Sequence, residues 1–203
     1  MYPKIRKLIK AFDFDKIPTQ RKIILQPLVE YIQIKLVANE RINLTFVCTH
    51  NSRRSHLTQV WAKLAGMYYR LRKVNTYSGG TEATAVYAQI LWTLTNQGFE
   101  YVSISSEKNA VFALRFDESS PPIILFSKMV DNFINPTKNF AAVMCCNDAD
   151  KNCPVVDGSD ARFAVPYVDP KRSDNTNEKV KVYLEKSLEI GREMFYVFSQ
   201  IER

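Results

Sequence analysis

Six consecutive apolar residues, Phe140-Ala-Ala-Val-Met-Cys145, narrow the folds open to this chain. A strand with no polar side is covered on both faces, and such strands lie at the centre of parallel sheets flanked by helices. The rest of the pattern agrees. Ile42-Asn-Leu-Thr-Phe-Val-Cys48 is rich in β-formers and reads as a strand. A polar turn follows, then an amphipathic helix from about Arg54 to Tyr69 carrying Leu57, Val60, Trp61 and Leu64. A second strand, Lys73 to Tyr77, ends at Ser78-Gly79-Gly80, and a helix from about Thr84 to Asn96 is closed by Gly98. This alternation predicts βαβ units.

Downstream, Val111–Phe116 and Ile123–Phe126 flank a Ser/Pro turn and predict an inserted β-hairpin. Asn147 to Ser159 reads as a polar loop, Arg162 to Val168 as a short strand, and Glu178 to Ile201 as a closing helix. Upstream, Ile23, Ile24, Leu28, Tyr31, Ile32 and Leu36 predict a helix within residues 16–40, with Thr19 as its N-cap. The expected architecture is an α/β three-layer sandwich with a mainly parallel central sheet. Residues 1–40 are expected to form an N-terminal helical extension and residues 41–203 the main domain.

The chain has 203 residues, enough for one sizeable core. No apolar run approaches the roughly 20 residues of a membrane helix, and the basic N-terminus leads into no signal-peptide stretch. The expectation is a cytoplasmic protein with no membrane partner. A net charge of +7 attracts anions and acidic partners, but no nucleic-acid-binding signature accompanies it, so no nucleic-acid partner is expected. Four cysteines, Cys48, Cys145, Cys146 and Cys153, are too few for a secreted disulfide scaffold. In a reducing compartment, three clustered cysteines point to catalysis, redox chemistry or metal binding. For a single cysteine such as Cys145, plain burial is an equal reading.

Phe46-Val-Cys-Thr-His-Asn-Ser-Arg-Arg-Ser-His56 carries the chemistry. A cysteine ends a buried strand and an arginine follows at a helix start. Ligands of open parallel sheets bind at the carboxyl ends of strands, where Cys48 falls. The amides of Thr49, His50, Asn51, Ser52, Arg53 and Arg54, with the helix N-terminus, would form an anion nest. That field favours the thiolate of Cys48. The Arg54 guanidinium offers a planar fork for two oxygens of a tetrahedral anion, and Ser55 is placed to hydrogen-bond the sulfur.

Val-Cys-Thr-x-Asn-Ser-x-Arg-Ser resembles the signature of the low-molecular-weight tyrosine phosphatases and of their relatives, the thioredoxin-coupled arsenate reductases. Ser78-Gly-Gly-Thr-Glu82 is similar to the family's Ser-Ala-Gly-Thr-Glu segment, and Asp169-Pro170 stands where the family keeps its Asp-Pro general acid. The likeness covers about residues 42–203 and implies Cys48 as nucleophile, Arg54 as oxyanion ligand and Asp169 as proton donor. Two positions depart from it. His50 replaces the usual Gly, which His tolerates at positive φ, and Arg53 replaces the usual Cys, adding a guanidinium at the mouth. His50 and His56 are expected to serve position or exposure.

Cys146-Asn-Asp-Ala-Asp-Lys-Asn-Cys153-Pro is similar to the cysteine-pair motif of the arsenate reductases. Lys171 follows Asp169-Pro170 where the phosphatases usually have Tyr. The resemblance implies a Cys48–Cys146–Cys153 disulfide relay with thioredoxin as external reductant and no bound cofactor. Cys145 would point to the opposite face from Cys146 if the strand persists. Zinc is disfavoured by the cysteine spacing. Hydrolysis of aryl phosphates or phosphotyrosine through a phosphocysteine is the alternative activity, and a non-catalytic anion-binding module is the alternative class.

Overall fold

The structure, a computed structural model, describes residues 1–152 and 155–202. Its centre is a four-stranded, all-parallel sheet in the order β2-β1-β6-β7. The strands are β1 (Ile42–Cys48), β2 (Val74–Gly80), β6 (Phe140–Met144) and β7 (Ser159–Ala164). β1 and β6 lie inside, and every residue of β6 is buried, as its unbroken apolar run requires. Helices α3 (Arg54–Tyr68), α4 (Ala88–Asn96) and α6 (Lys179–Ser199) are the crossover and closing helices expected from the pattern. Gly98, at φ 100°, closes α4 in the left-handed region, and a Cβ there would sit 2.7 Å from Lys4 Cβ.

The predicted hairpin is present as β4 (Phe112–Arg115) and β5 (Ile123–Leu125), antiparallel. It is joined by β3 (Glu100–Ser103), making a separate three-stranded sheet. All four residues of β3 are exposed, so no alternation of burial marks it in the sequence.

Several boundaries differ from the sequence expectations. Thr19 is the first residue of α2 (Thr19–Val37) rather than its cap; Pro18 precedes it and no side chain caps the helix. β2 runs on through Ser78-Gly79-Gly80, because both glycines sit against backbone that would exclude a side chain. The last strand lies earlier than expected, over Ser159–Ala164, since a sheet edge accepts the polar residues Ser159 and Asp160. The segment beyond it still hydrogen-bonds along the edge, Val165 N–H to Met144 O and Tyr167 N–H to Cys145 O. Asn147–Asn152, expected as loop, is a short helix, α5, with Asp148 and Asp150 in its first turn, where the helix dipole favours them.

Residues 1–40 share the core of the rest. They form α1 (Pro3–Lys10), a 3₁₀ turn at Phe14–Lys16, and α2. Ile5, Ile9, Leu25, Leu28 and Ile32 are buried in the same cluster as β1 and β6. Phe12 packs edge-on to Trp61, 5.6 Å between ring centres, and Phe195 lies 5.4 Å from Phe12. Arg21 grips Glu193 of α6 through two nitrogens at 2.9–3.0 Å. Leu28→Ala should therefore cost about 2–5 kcal/mol, the range for a fully buried leucine. Urea unfolding followed by circular dichroism measures it; a loss below about 1 kcal/mol would mean that α2 is dispensable.

Candidate active site

The sheet delivers Cys48 at the carboxyl end of β1, and α3 begins six residues later at Arg54. Between them the chain turns through Asn51 at φ 42°. The left-handed residue is thus Asn51 and not His50, and asparagine is among the side chains that tolerate it.

What shapes the loop is the direction of its carbonyls. Cys48 O accepts from Thr81 N–H, Thr49 O from Glu82 N–H, and Ser52 O from Tyr87 N–H. His50 O accepts from the hydroxyls of Ser127, at 2.8 Å, and Thr84, at 3.2 Å. With these carbonyls held by the flanking segments, the amides of residues 50–53 donate to no acceptor among the described residues. Unpaired amides on a loop entering a helix are the raw material of an anion nest.

The Ser-Gly-Gly-Thr-Glu segment is what allows this approach. A Cβ on Gly80 would lie 2.7 Å from Thr49 O and 2.8 Å from Asn51 N, and one on Gly79 would lie 2.6 Å from Val130 Cα. The strap after the hairpin, Ser127–Val130, completes the brace. Gly80 N–H donates to Lys128 O, and Val130 N–H returns to Gly80 O.

Cys48 is 3% exposed, and its Sγ lies 3.1 Å from Ser55 Oγ. Asn51 bears on the direction of that contact. Its Oδ1 accepts from Lys128 N–H at 3.0 Å, which turns its Nδ2 to donate to Ser55 Oγ at 2.8 Å. Ser55 Oγ already accepts, so its own proton is free for the sulfur, the arrangement that stabilises a thiolate.

Arg54 is 8% exposed and holds Tyr167 O at 3.1 Å and Asp169 Oδ2 at 2.6 Å, while its Nε is buried without a partner. The expected open fork is therefore partly engaged. Asp169 comes to the site as predicted, but both its oxygens act as acceptors, Oδ1 taking Lys171 N–H to start the 3₁₀ turn Pro170–Ser173.

Arg53 does not crowd the mouth as its position implied. Its Nε donates to Tyr183 Oη at 2.8 Å, its Nη2 donates to Asp174 Oδ2 at 2.7 Å, and Tyr183 O–H closes the ring on Asp174 Oδ1. The guanidinium also lies 4.0 Å from the centre of the Tyr87 ring. Tyr87, Asp174 and Tyr183 carry no local sequence signal for this task; only the fold brings them together. His50 Nδ1 lies 3.0 Å from Glu82 Oε2 at the surface. His56 is fully buried, and burial, then Lys128, holds its imidazole down to about 3, so it stays neutral and serves packing.

The two adjacent cysteines diverge. Cys145 Sγ meets Thr58 Oγ1 of α3 at 3.6 Å, and burial pushes its thiol well up. Cys146 Sγ lies 3.6 Å from Thr49 Oγ1 in the loop and accepts from Ala149 N–H at 3.3 Å, capping α5. Cys153 lies outside the described residues.

Ser55→Ala removes a hydroxyl able to hydrogen-bond a Cys48 thiolate, an effect of about 1.5–3 kcal/mol on that form. Alkylation of Cys48 by iodoacetamide at neutral pH should slow at least tenfold. An unchanged rate would mean that Ser55 does not support the thiolate.

No family model matches the sequence, and no curated protein matches it. Solved structures do. A low molecular weight protein tyrosine phosphatase from Bacillus subtilis is 13% identical with a TM-score of 0.53, over 78% of this chain and 96% of that one. The enzyme of the same name from T. tengcongensis is 11% identical at 0.52, over 79% and 99%. A low molecular weight phosphotyrosine phosphatase from Vibrio cholerae O395 is 14% identical at 0.51, over 78% and 94%. At such identities the likeness is one of architecture: this chain has the fold of the low-molecular-weight protein tyrosine phosphatases.

Proposed function

We propose that this protein is a thiol-dependent enzyme acting on tetrahedral oxyanions at Cys48, and that it reduces arsenate to arsenite. The observation that carries the reading is a second thiol at the loop: Cys146 Sγ rests against Thr49, the residue next to Cys48. A phosphatase that resolves its intermediate with water has no need of it.

In the proposed reaction the amides of residues 49–54 and the Arg54 Nε receive the oxyanion. Cys48 thiolate attacks arsenic, and an oxygen departs as water with a proton from Asp169. Asp169 must first leave its pairing with Arg54 and take up a proton, and arrival of an anion that competes for the guanidinium supplies the occasion. Cys146 thiolate then attacks Cys48 Sγ. The sulfur–arsenic bond breaks, its electron pair reduces arsenic from As(V) to As(III), and arsenite leaves behind a Cys48–Cys146 disulfide. Cys153 attacks Cys146, freeing the Cys48 thiolate, and the Cys146–Cys153 disulfide is reduced by two electrons from thioredoxin.

The second reading is hydrolysis of a phosphate monoester through a phosphocysteine. It is favoured by Asp169, whose carboxyl lies 2.6 Å from an arginine nitrogen at the anion site, where a leaving oxygen would need its proton. The fold's architectural relatives also bear phosphatase names.

Both activities are measured on one preparation, as thioredoxin-coupled arsenate reduction and as aryl phosphate hydrolysis. Cys48→Ser should abolish both. Cys153→Ser should reduce one equivalent of arsenate and stop, while aryl phosphate hydrolysis persists. Asp169→Asn should lower aryl phosphate turnover by about 10²–10⁴-fold, the usual contribution of a positioned acid. Sustained arsenate turnover by Cys153→Ser would overturn the relay, and inertness of the wild type toward both substrates would leave an anion-binding module.

A further inference from the structure

A cleft of about 360 Å³ lies between α3, β2 and the inserted hairpin with its strap. Its apolar wall is formed by Met67, Pro122, Ile123, Phe126 and Ile134. Such a wall on its own would fit any apolar body. The polar groups at the cleft make it selective.

Lys128 and Lys63 both line the cleft, and neither has a carboxylate partner among the described residues. Lys128 is 4% exposed. Its Nζ donates to Ser78 Oγ at 3.4 Å and lies 4.6 Å from the centre of the Phe126 ring. Lys63 Nζ reaches Val74 O at 3.5 Å. One further lining residue, Thr76, carries a buried hydroxyl without a hydrogen-bond partner among the described residues. An ammonium so deeply buried is normally paired, and an unpaired one is costly. Burial draws the Lys128 ammonium down to about 8, which still leaves it charged at neutral pH. The cleft therefore combines an apolar space with two ammonium groups and a hydroxyl able to donate, and no acid among the described residues neutralises them.

We propose that this cleft binds an amphipathic carboxylate, the apolar body against Met67, Ile123, Phe126 and Ile134 and the carboxylate on Lys128 Nζ and the Thr76 hydroxyl. The site adjoins the Cys48 loop through the Lys128 backbone, which holds Asn51, but its side-chain ligands take no part in the reaction assigned to that loop.

Decanoate is a suitable probe, with decanol as its uncharged counterpart. Calorimetric titration of the wild type should give one saturable decanoate site, with decanol at least tenfold weaker, as expected for loss of a charge-assisted hydrogen bond. Lys128→Met, which keeps the length of the side chain in an apolar setting, should weaken decanoate about tenfold and remove the preference over decanol. A measurement on the unaltered protein stands beside it. Limited carbamylation by cyanate, read by peptide mass spectrometry, should be slowed by decanoate at Lys128 and not at the exposed Lys4. Equal affinity for decanol, absence of saturable binding, or decanoate binding that leaves Lys128 unprotected, as at the Cys48 loop, would each overturn the proposal.

Discussion

The site depends on one constraint, the outward pull on the carbonyls between Cys48 and Ser52. A short loop of this kind has as many acceptors as donors, and left alone it would present a mixture to any ion. Here Thr81, Glu82, Thr84, Tyr87 and Ser127 take the carbonyls from outside. The N–H groups then face the other way by default. The electrostatics around Cys48 are thus set by hydrogen bonds made at a distance from it, and the glycines at 79 and 80 matter because they let those partners come close enough.

Much of this was legible in the residues themselves. A covered central strand leaves no choice but apolar side chains, so Phe140–Met144 announces itself, and Ile42–Cys48 followed by a polar turn and an amphipathic helix places the nucleophile at a sheet end. Motif spacing marks Cys48, Arg54 and Ser55 because three groups converging within one turn must be near in sequence. The same logic explains what stayed hidden. Asp174 and Tyr183 lie 121 and 130 residues from the Arg53 they engage, and nothing local distinguishes them. β3 is exposed throughout and α5 is a single short helix with Ala149 its one apolar residue, so periodicity is silent for both. The full length of β2 is not legible in the sequence, because glycine reads as a terminator unless its surroundings are known.

The two consecutive arginines show how little residue type says about role. Arg53 and Arg54 are chemically identical, yet Arg53 is consumed by Asp174, Tyr183 and the Tyr87 ring, whereas Arg54 faces the backbone of Tyr167 and the carboxylate of Asp169 with one nitrogen spare. Neighbours at a helix start point in directions about 100° apart, so each meets a different wall. The Arg53 ring of contacts ties the loop to the segment that follows Asp169. It fixes the distance between the sulfur-bearing and carboxylate-bearing parts of the site without entering either.

Asn51 joins the front of the site to the structure behind it. A side-chain amide has one acceptor and one donating end, and fixing either fixes both. Lys128 N–H fixes the acceptor, so the donor meets Ser55, which leaves the Ser55 proton free for Cys48. Three hydrogen bonds in series thus convert the position of one backbone amide on the hairpin's strap into the polarity felt by the sulfur. The strap is held in turn by Gly80 and by Asn135, whose Nδ2 reaches Ser78 O, Met129 O and Val130 O. The inserted hairpin is therefore part of the mechanism that orients the nucleophile. Rotating the Asn51 amide would put two donors face to face at Lys128, a costly mismatch in a buried setting.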